Sequence, residues 1–416
     1  MEKNPYVIPD ENAFVALLKA CSKVFDVARG QEIHKKIHRL GILGNNVYLG
    51  NALINMYMKC GYVDKACESF KGMSFHNVVS WNTLITGYVR NGYGEDALTC
   101  FEYMQKDGIF PDTTTFICIV KACAMVGSMT KGQEIHAEIV RKALVEKDVM
   151  IGSILVDMYV KCGCLTKAQQ VFDELSIRNV ISWNALIAGY ALQECNEEAL
   201  NSVMSMQIEG LFPDEVTFLP SLKACGSIVA PMKGQKMHLE IVKVGLLEKS
   251  NVLGNVLVDM YAKCGLVAEA QESFDTLQVK DVVSWNALIS GYAQLGNDEV
   301  AFCTFIKMIG EGKEPNLATF TILLNTCSHT GQLDQAHMYF DSMNRSYSCF
   351  PTLEHYTCMV DLYGRAGQVE QTISVIKDMP FHADLSIWNT LLGACQKWGN
   401  VQLGVLAFEH VIQLDE

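Results

Sequence analysis

Hydrophobic and polar positions in residues 78–112 follow the spacing of two consecutive amphipathic helices. Apolar residues at i, i+3, i+4 and i+7 share one face of the first helix: Trp81, Leu84, Ile85 and Tyr88. Ser80 is expected to cap this helix and Asn91-Gly92 to end it. The second helix carries Glu95 and Asp96 in its first turn, where the helix dipole favours acidic side chains. The pattern therefore predicts a helix-turn-helix of 35 residues.

This pattern returns along the chain with a period of 102 residues. One twelve-residue phrase occurs three times, as NVVSWNTLITGY from Asn77, NVISWNALIAGY from Asn179 and DVVSWNALISGY from Asp281. The period divides into helical hairpins of 35, 36 and 31 residues, namely 78–112, 113–148 and 149–179. Fixed-period self-similarity is typical of a solenoid, in which each unit buries its apolar face against its neighbours. We therefore predict an all-α fold, an α-solenoid that winds into a right-handed superhelix.

Composition adds two constraints. The chain of 416 residues is 50% hydrophobic, but polar residues interrupt its apolar stretches every few positions, so no membrane-spanning segment is predicted. The formal net charge of −13 disfavours a protein that holds nucleic acid chiefly by neutralising phosphates. The basic cluster HKKIHR at residues 34–39 is either a local nucleic-acid contact or a solvated helix face.

The sixteen cysteines first suggest disulfides or a metal site. Their positions favour another interpretation, because two sets repeat with the 102-residue period: Cys21, Cys123, Cys225 and Cys327, and Cys60, Cys162 and Cys264. Cysteines at equivalent places in separate units are typical of small buried residues in a reducing compartment. We interpret them as structural thiols.

Two segments match half of a zinc-deaminase signature, His136-Ala-Glu138 and His238-Leu-Glu240. Neither is followed by P-C-x-x-C, and His34 is a third copy at the equivalent position. We interpret these histidines as packing or surface residues and expect no catalysis, metal or cofactor in this chain. A metal-dependent hydrolase remains an alternative that bound zinc would reveal.

Two families of helical repeats fit hairpins of this length. Trp81, Leu84, Tyr88, Ala97 and Phe101 satisfy much of the tetratricopeptide pattern, which would make the chain a protein–protein scaffold. Three positions do not fit that pattern: Gly87, Met104 and Pro111. The phrases VVSWNxLIxGY, KAC…KGQEIH and MYxKCGxxxKA instead resemble the pentatricopeptide repeat (PPR), in the plant type that alternates P, L and S units.

The resemblance divides the chain into units. Residues 1–10 are expected to be the tail of a truncated repeat, residues 11–384 the array and residues 385–416 an incomplete E motif, as in RNA-editing members of the family. The expected L units are 11–46, 113–148 and 215–250, the S units 47–77, 149–179 and 251–281, and the P units 78–112, 180–214 and 282–316. Units 317–352 and 353–384 have drifted from the triplet.

In this family the fifth and last residues of a unit read one RNA base, which the resemblance assigns here to seven pairs: Asn51/Asn77, Asn82/Asp112, Ser153/Asn179, Asn184/Asp214, Asn255/Asp281, Asn286/Asn316 and Thr357/Asp384. By the same resemblance, three apolar residues wedge between adjacent bases: Val79, Ile181 and Val283. The L units instead pair an apolar fifth residue with their last residue: Val15/Asn46, Ile117/Asp148 and Leu219/Ser250. An apolar member cannot hydrogen-bond a base. The alternative is that the polar residues only cap helices or satisfy a first helical turn.

The resemblance implies a sequence-specific single-stranded RNA-binding protein that serves as the recognition module for C-to-U editing in a mitochondrion or chloroplast. Its partners would be an organellar transcript and either editing cofactor proteins or a deaminase supplied in trans. In the family, Asn/Asp pairs prefer U, Asn/Asn pairs C over U, Ser/Asn pairs A and Thr/Asp pairs G. The expected target is 5′-Y-U-n-A-U-n-U-Y-n-G-3′, in which n marks units without an assigned base.

Overall fold

The structure, a computed structural model, describes residues 11–43 and 46–415. The described residues form α-helices joined by short turns, with no strand among them, which confirms the predicted all-α class. The tail expected at residues 1–10 lies outside the described residues. The chain forms two compact units, Met1–Thr217 and Phe218–Glu416, and helix α14 (Glu215–Ser227) contains the boundary.

The helices of the first unit occur in pairs, with one additional short helix, α9. They are α1 (Glu11–Val24), α2 (Val27–Leu40), α3 (Val47–Lys59), α4 (Val63–Lys71), α5 (Val78–Arg90), α6 (Gly94–Lys106), α7 (Thr113–Val126), α8 (Met129–Arg141), α9 (Leu144–Lys147), α10 (Val149–Lys161), α11 (Leu165–Glu174), α12 (Val180–Leu192) and α13 (Asn196–Ile208).

The helices of the second unit that follow α14 are also paired. They are α15 (Pro231–Val244), α16 (Asn251–Lys263), α17 (Val267–Asp275), α18 (Val282–Gln294), α19 (Asp298–Gly310), α20 (Leu317–Thr330), α21 (Leu333–Tyr347), α22 (Leu353–Arg365), α23 (Val369–Asp378), α24 (Leu385–Trp398) and α25 (Val401–Asp415).

The cap of α5 differs from the expectation. Asn77, not Ser80, is the N-cap, because Asn77 has an extended backbone and Val78 is the first helical residue. The Asn77 side chain accepts a hydrogen bond from the backbone N–H of Ser80 at 3.0 Å, and the Ser80 hydroxyl accepts one from the backbone N–H of Asn77 at 3.3 Å. This reciprocal capping box satisfies two N–H groups that the helix itself cannot pair.

The first helix of each pair packs on the first helix of the next pair. In the first unit this gives one layer of α1, α3, α5, α7, α10 and α12, and in the second unit α16, α18, α20, α22 and α24 pack in the same way. Close packing requires small residues: a Cβ at Gly291 in α18 would lie 2.7 Å from Cβ of Ala262 in α16. The second helices cover the other side of this layer, so one face of each first helix is left for other contacts.

The cysteine interpretation agrees with the described structure. Every described cysteine is a free thiol, and the first periodic set is buried: Cys21, Cys123, Cys225 and Cys327. Burial raises the pKa of Cys123 to about 11, so this thiol is protonated and unreactive at neutral pH. None of the described helices is both long enough and apolar enough to span a membrane.

Candidate nucleic-acid interface

In five units the fifth residue forms a hydrogen bond directly with the last residue. The fifth residue lies one turn into the first helix, and the last residue precedes the first helix of the next unit, so helix stacking brings them together. The donor–acceptor distances are 2.9 Å for Asn82–Asp112, 3.1 Å for Ser153–Asn179, 2.9 Å for Asn184–Asp214, 2.9 and 3.0 Å for Asn255–Asp281 and 3.1 Å for Asn286–Asn316.

The other two pairs share no hydrogen bond in the described structure. Oδ1 of Asn51 is buried and has no hydrogen-bond partner among the described residues, although Asn51 occupies the position equivalent to Ser153. The hydroxyl of Thr357 donates to the backbone carbonyl of Leu353 at 2.9 Å. Asp384 accepts from the backbone N–H of Ile387 at 3.0 Å and thus acts as a cap.

Capping and pairing occur at the same atoms. Oδ1 of Asp112 accepts from the backbone N–H of Thr115 at 2.9 Å, as well as from Nδ2 of Asn82. The L-unit residues Asn46, Asp148 and Ser250 cap the following helices as well, but their fifth residues are apolar. Capping therefore explains the last residue of a unit, and it does not explain the polar fifth residue.

These hydrogen bonds keep the carboxylates charged. Partial burial by itself raises the pKa of Asp112, but hydrogen bonds from Thr115 and Asn82 outweigh it and hold the pKa below the ordinary value. The same balance, with bonds from Ser284 and Asn255, lowers the pKa of Asp281. At neutral pH each carboxylate is therefore an acceptor only, and the facing asparagine must direct its Nδ2 toward it.

The two members of a pair differ in exposure. Asn82 is 8% exposed and Ser153 is fully buried, whereas Asp112 and Asp214 are exposed. A ligand approaching this face would meet the carboxylate and the outer edge of the asparagine amide.

Three of the four residues that form the pairs of the first two polar units line one groove in the first unit. The groove has a volume of about 520 Å³ and runs over α1, α3 and α5. Asn51, Asn82 and Asp112 line it together with Val79, and Lys19 and Arg90 contribute positive charge. Hydrogen-bonding groups, an apolar side chain and cations thus face the same space.

The residues expected to stack on bases are exposed, as that role requires: Val79 (53%), Ile181 (48%) and Val283 (60%). Each lies at the second position of its unit, three residues before the asparagine at the fifth position. The structure shows further exposed apolar residues at the second position that sequence reasoning missed: Tyr48, Met150, Val216 and Val252. The sequence feature that could have identified them is the second position, which they occupy in S and L units.

Sequence reasoning also missed a set of lysines. Lys19, Lys121 and Lys223 begin the KAC motif at the ninth position of the L units, one turn beyond the fifth. All three are exposed, and none has an ion-pair partner among the described residues. The basic cluster at residues 34–39 instead lies on α2, a second helix outside the layer that carries the pairs. Positive charge therefore occurs on the candidate interface despite the net charge of −13.

The candidate metal-ligating histidines are engaged in packing. Nδ1 of His136 lies 2.9 Å from the Tyr159 hydroxyl, and His34–Tyr57 and His238–Tyr261 repeat this hydrogen bond at 2.9 Å. In each case the rings meet edge to face, with centroids 5.6 Å apart. Across residues 11–43 and 46–415 the structure contains no cluster of three or more His, Cys, Asp or Glu side chains that could hold a metal.

Sequence comparison places the chain in a family. The model of the PPR repeat matches residues 51–78, 153–180, 181–211, 255–282, 318–347 and 354–381, and the PPR repeat family model matches 76–125 and 280–329. A pentatricopeptide repeat-containing protein of Arabidopsis thaliana is 36% identical over 451 residues, which cover 100% of this chain and 64% of the relative. The chain belongs to the pentatricopeptide repeat family.

Two other relatives from the same plant carry organelle names. One, named chloroplastic, is 35% identical and is covered over 50% of its length; the other, named mitochondrial, is 32% identical and is covered over 67%. Each alignment includes 98% of this chain. The chain thus spans between one half and two thirds of these relatives.

Solved structures share the fold. The crystal structure of the pentatricopeptide repeat protein PPR10 from maize has a TM-score of 0.60 and 19% identity, over 97% of this chain and 64% of that chain. The structure of PPR10 in complex with an 18-nt psaJ RNA element has a TM-score of 0.62 and 18% identity, over 98% and 69%. These matches confirm the helical-repeat solenoid.

Proposed function

We propose that this chain is a sequence-specific single-stranded RNA-binding protein in which each P and S unit reads one base through its fifth and last residues. The observation that carries the proposal is the direct hydrogen bond between these residues in five units, on the free face of the first helices. Amides and carboxylates at a regular spacing present donors and acceptors to successive base edges.

The chemistry of each pair suits a class of base. An asparagine at the fifth position extends to the groove surface and leaves space for a pyrimidine. Ser153 and Thr357 have shorter side chains, which would leave room for a purine, as the family's preferences for A and G at such pairs require. The exposed second-position side chains, such as Val79 and Val283, would pack on the faces of neighbouring bases.

Family membership supports this proposal. PPR10, whose fold this chain shares, is seen with an RNA element, and RNA binding would explain the polar pairs that capping leaves unexplained. Base-edge bonds and stacking would provide most of the affinity, with a small contribution from Lys19, Lys121 and Lys223. The salt dependence of binding would then be modest, as the net charge of −13 requires.

We further propose that the chain acts as the recognition module of an organellar C-to-U editing factor. Helices α24 and α25 would form the start of an E motif, and the deaminase would be supplied elsewhere in the whole protein or by a partner. The names of the chloroplastic and mitochondrial relatives support an organellar location. The edited cytidine would lie a few nucleotides 3′ of the final G of the target.

The test is binding to 5′-Y-U-n-A-U-n-U-Y-n-G-3′ and to single-base variants, measured by fluorescence anisotropy. The double variant Ser153→Asn with Asn179→Asp should change the preferred base at the A position to U and leave other positions unchanged. Each correct base contact should contribute about 1–3 kcal/mol. A uniform loss for every RNA would mean that the pairs only support the fold, and binding to peptides but not RNA would favour the tetratricopeptide-type scaffold.

A further inference from the structure

Besides the last residue of its own unit, the fifth residue of each P unit has a second hydrogen-bond partner, which belongs to the next unit. The hydroxyl of Thr115 donates to Oδ1 of Asn82 at 2.6 Å, and Thr217 donates in the same way to Oδ1 of Asn184 at 2.5 Å. Both threonines are the third residue of an L unit, and both are fully buried. Thr319 repeats the contact with Asn286 at 2.8 Å.

The direction of these bonds follows from the neighbouring groups. The backbone N–H of Asp112 donates to the Thr115 hydroxyl at 3.2 Å, so the hydroxyl proton is free to be donated. Oδ1 of Asn82 is the nearest acceptor, at 2.6 Å, and Oδ1 of Asp112 is 2.9 Å away and accepts two further bonds. The Asn82 amide is thus held at both ends: its oxygen accepts from Thr115 and its nitrogen donates to Asp112.

An amide held in this way offers one remaining N–H to a ligand. Nδ2 of Asn82 makes a single hydrogen bond among the described residues, so its second hydrogen is left for a base. Uracil carries an acceptor oxygen at position 4 where cytosine carries a donor amine. A side chain that can only donate therefore favours uracil.

The S units lack this restraint. The equivalent third residue after Asn255/Asp281 is Ser284, whose hydroxyl donates to the backbone carbonyl of Asp281 at 2.8 Å. Oδ1 of Asn255 has no hydrogen-bond partner among the described residues. Two pairs with the same side chains, Asn82/Asp112 and Asn255/Asp281, thus differ in whether the amide oxygen is occupied.

We propose that Thr115 and Thr217 are positioning residues that set the base preference of the preceding P unit. The L units would then take part in reading a base although their own fifth residues are apolar. This inference rests on the proposed RNA-binding function. It implies that Asn82/Asp112 and Asn184/Asp214 distinguish U from C more sharply than Asn255/Asp281 does.

The experiment compares the affinities for two RNAs that differ only by U or C at the base assigned to Asn82/Asp112. The ratio of the two affinities cancels any general loss of folded protein. Thr115→Val has nearly the same shape but no hydroxyl, and it should lower the ratio by about fivefold, which corresponds to about 1 kcal/mol. Thr115→Ser keeps the hydroxyl and should restore the ratio.

Ser284→Ala is the matched control, because it also removes a third-position hydroxyl beside an Asn/Asp pair. It should leave the U-to-C ratio at the Asn255/Asp281 position unchanged. Thr217→Val repeats the test at Asn184 and should reproduce the fivefold fall.

If Thr115→Val and Thr217→Val weaken both RNAs equally, the threonines are only structural and the inference is wrong. If the unmodified chain does not discriminate U from C at Asn82/Asp112, the proposed function itself fails, which is a different result.

Discussion

Nδ2 of Asn82 donates a 2.9 Å hydrogen bond to Oδ1 of Asp112, and that same oxygen caps helix α7 through the backbone N–H of Thr115. One carboxylate therefore stabilises the fold and faces the candidate RNA interface. Both roles need an acceptor oxygen. Asparagine can replace aspartate as the cap, but it would present a different hydrogen-bonding group to a base. Substitutions at this position can separate the two roles.

We expect Asp112→Asn to change the base preference and to leave the fold nearly intact. Asparagine is as good an N-cap as aspartate, so the melting temperature should change little. The unit becomes an Asn/Asn pair, and by the family code the preferred base should change from U to C. Thermal unfolding followed by circular dichroism and binding to the U and C oligonucleotides provide the two measurements.

Asp112→Ala is the matched variant for this prediction. It removes the cap and should destabilise the protein by about 1 kcal/mol, with loss of affinity for the U and C oligonucleotides alike. If Asp112→Asn retains the preference for U, the last residue does not contribute to recognition and acts as a cap alone.

The His136–Tyr159 pair predicts a dependence of stability on pH. Burial lowers the pKa of His136 below the ordinary value of 6.5, so the folded protein favours the neutral ring. The stabilisation is fully present above pH 6.5 and is lost as the pH falls through the lowered pKa of the folded state. The melting temperature should therefore fall as the pH is lowered from about 7 to about 5.

Two variants of His136 test this cause. His136→Gln keeps an acceptor for the Tyr159 hydroxyl but does not titrate, so it should be nearly as stable at pH 7 and should lose less stability in acid. His136→Ala leaves the hydroxyl unpaired and should cost about 1–3 kcal/mol at pH 7, and less in acid, where the unmodified protein has itself lost the contribution of the neutral ring. Neither variant should change the RNA affinity at pH 7 or the metal content of the protein. Loss of a stoichiometric metal ion on substitution would contradict the packing role of His136.

Periodicity predicted the helices well because their apolar residues repeat locally. The phrase from Asn77 to Tyr88 contains all but the last two residues of the first helix of a P unit, and α5 begins at Val78 as the register requires. The cap was assigned wrongly because Asn77 and Ser80 are both good capping residues, and only the backbone angles show which one precedes the helix.

The site was predictable only in part, because its contacts join distant positions. Asn82 and Asp112 could be paired by resemblance, but the contact of Thr115 with Asn82 spans 33 residues and depends on how α5 and α7 pack. Tyr48, at the second position of an S unit, was missed because stacking residues were assigned only in P units. Nothing in the residue pattern indicated that Ser153 would be fully buried.

Exposed apolar residues at the second position should contribute to RNA affinity and not to stability. Val79→Ala removes a side chain on α5 that is 53% exposed. The melting temperature should therefore stay unchanged, whereas the RNA affinity should fall. Tyr48→Ala should cost about 1–3 kcal/mol of binding free energy, since an aromatic ring stacks more strongly. The control is Val140→Ala on the second helix α8, where the valine is 57% exposed, and its RNA affinity should equal that of the unmodified chain.

The exposed lysines of the KAC motif should account for much of the salt dependence of binding. Each of Lys19→Ala, Lys121→Ala and Lys223→Ala should reduce the slope of log K against log salt by about 0.7, the value for one phosphate contact on a single strand. Base preference should not change, because phosphate contacts carry no sequence information.

The double variant Lys35→Ala with Lys36→Ala is the matched control for these lysines. It removes two exposed charges from α2, a second helix outside the layer that carries the pairs of fifth and last residues, and should leave the slope unchanged. Titrations at several salt concentrations between about 50 and 200 mM distinguish the two sets. An equal fall in slope for the control would mean that RNA is attracted by charge anywhere on the surface. A fall for the KAC lysines alone would instead place the phosphate backbone one helical turn from the fifth residues, beside the bases that we propose they read.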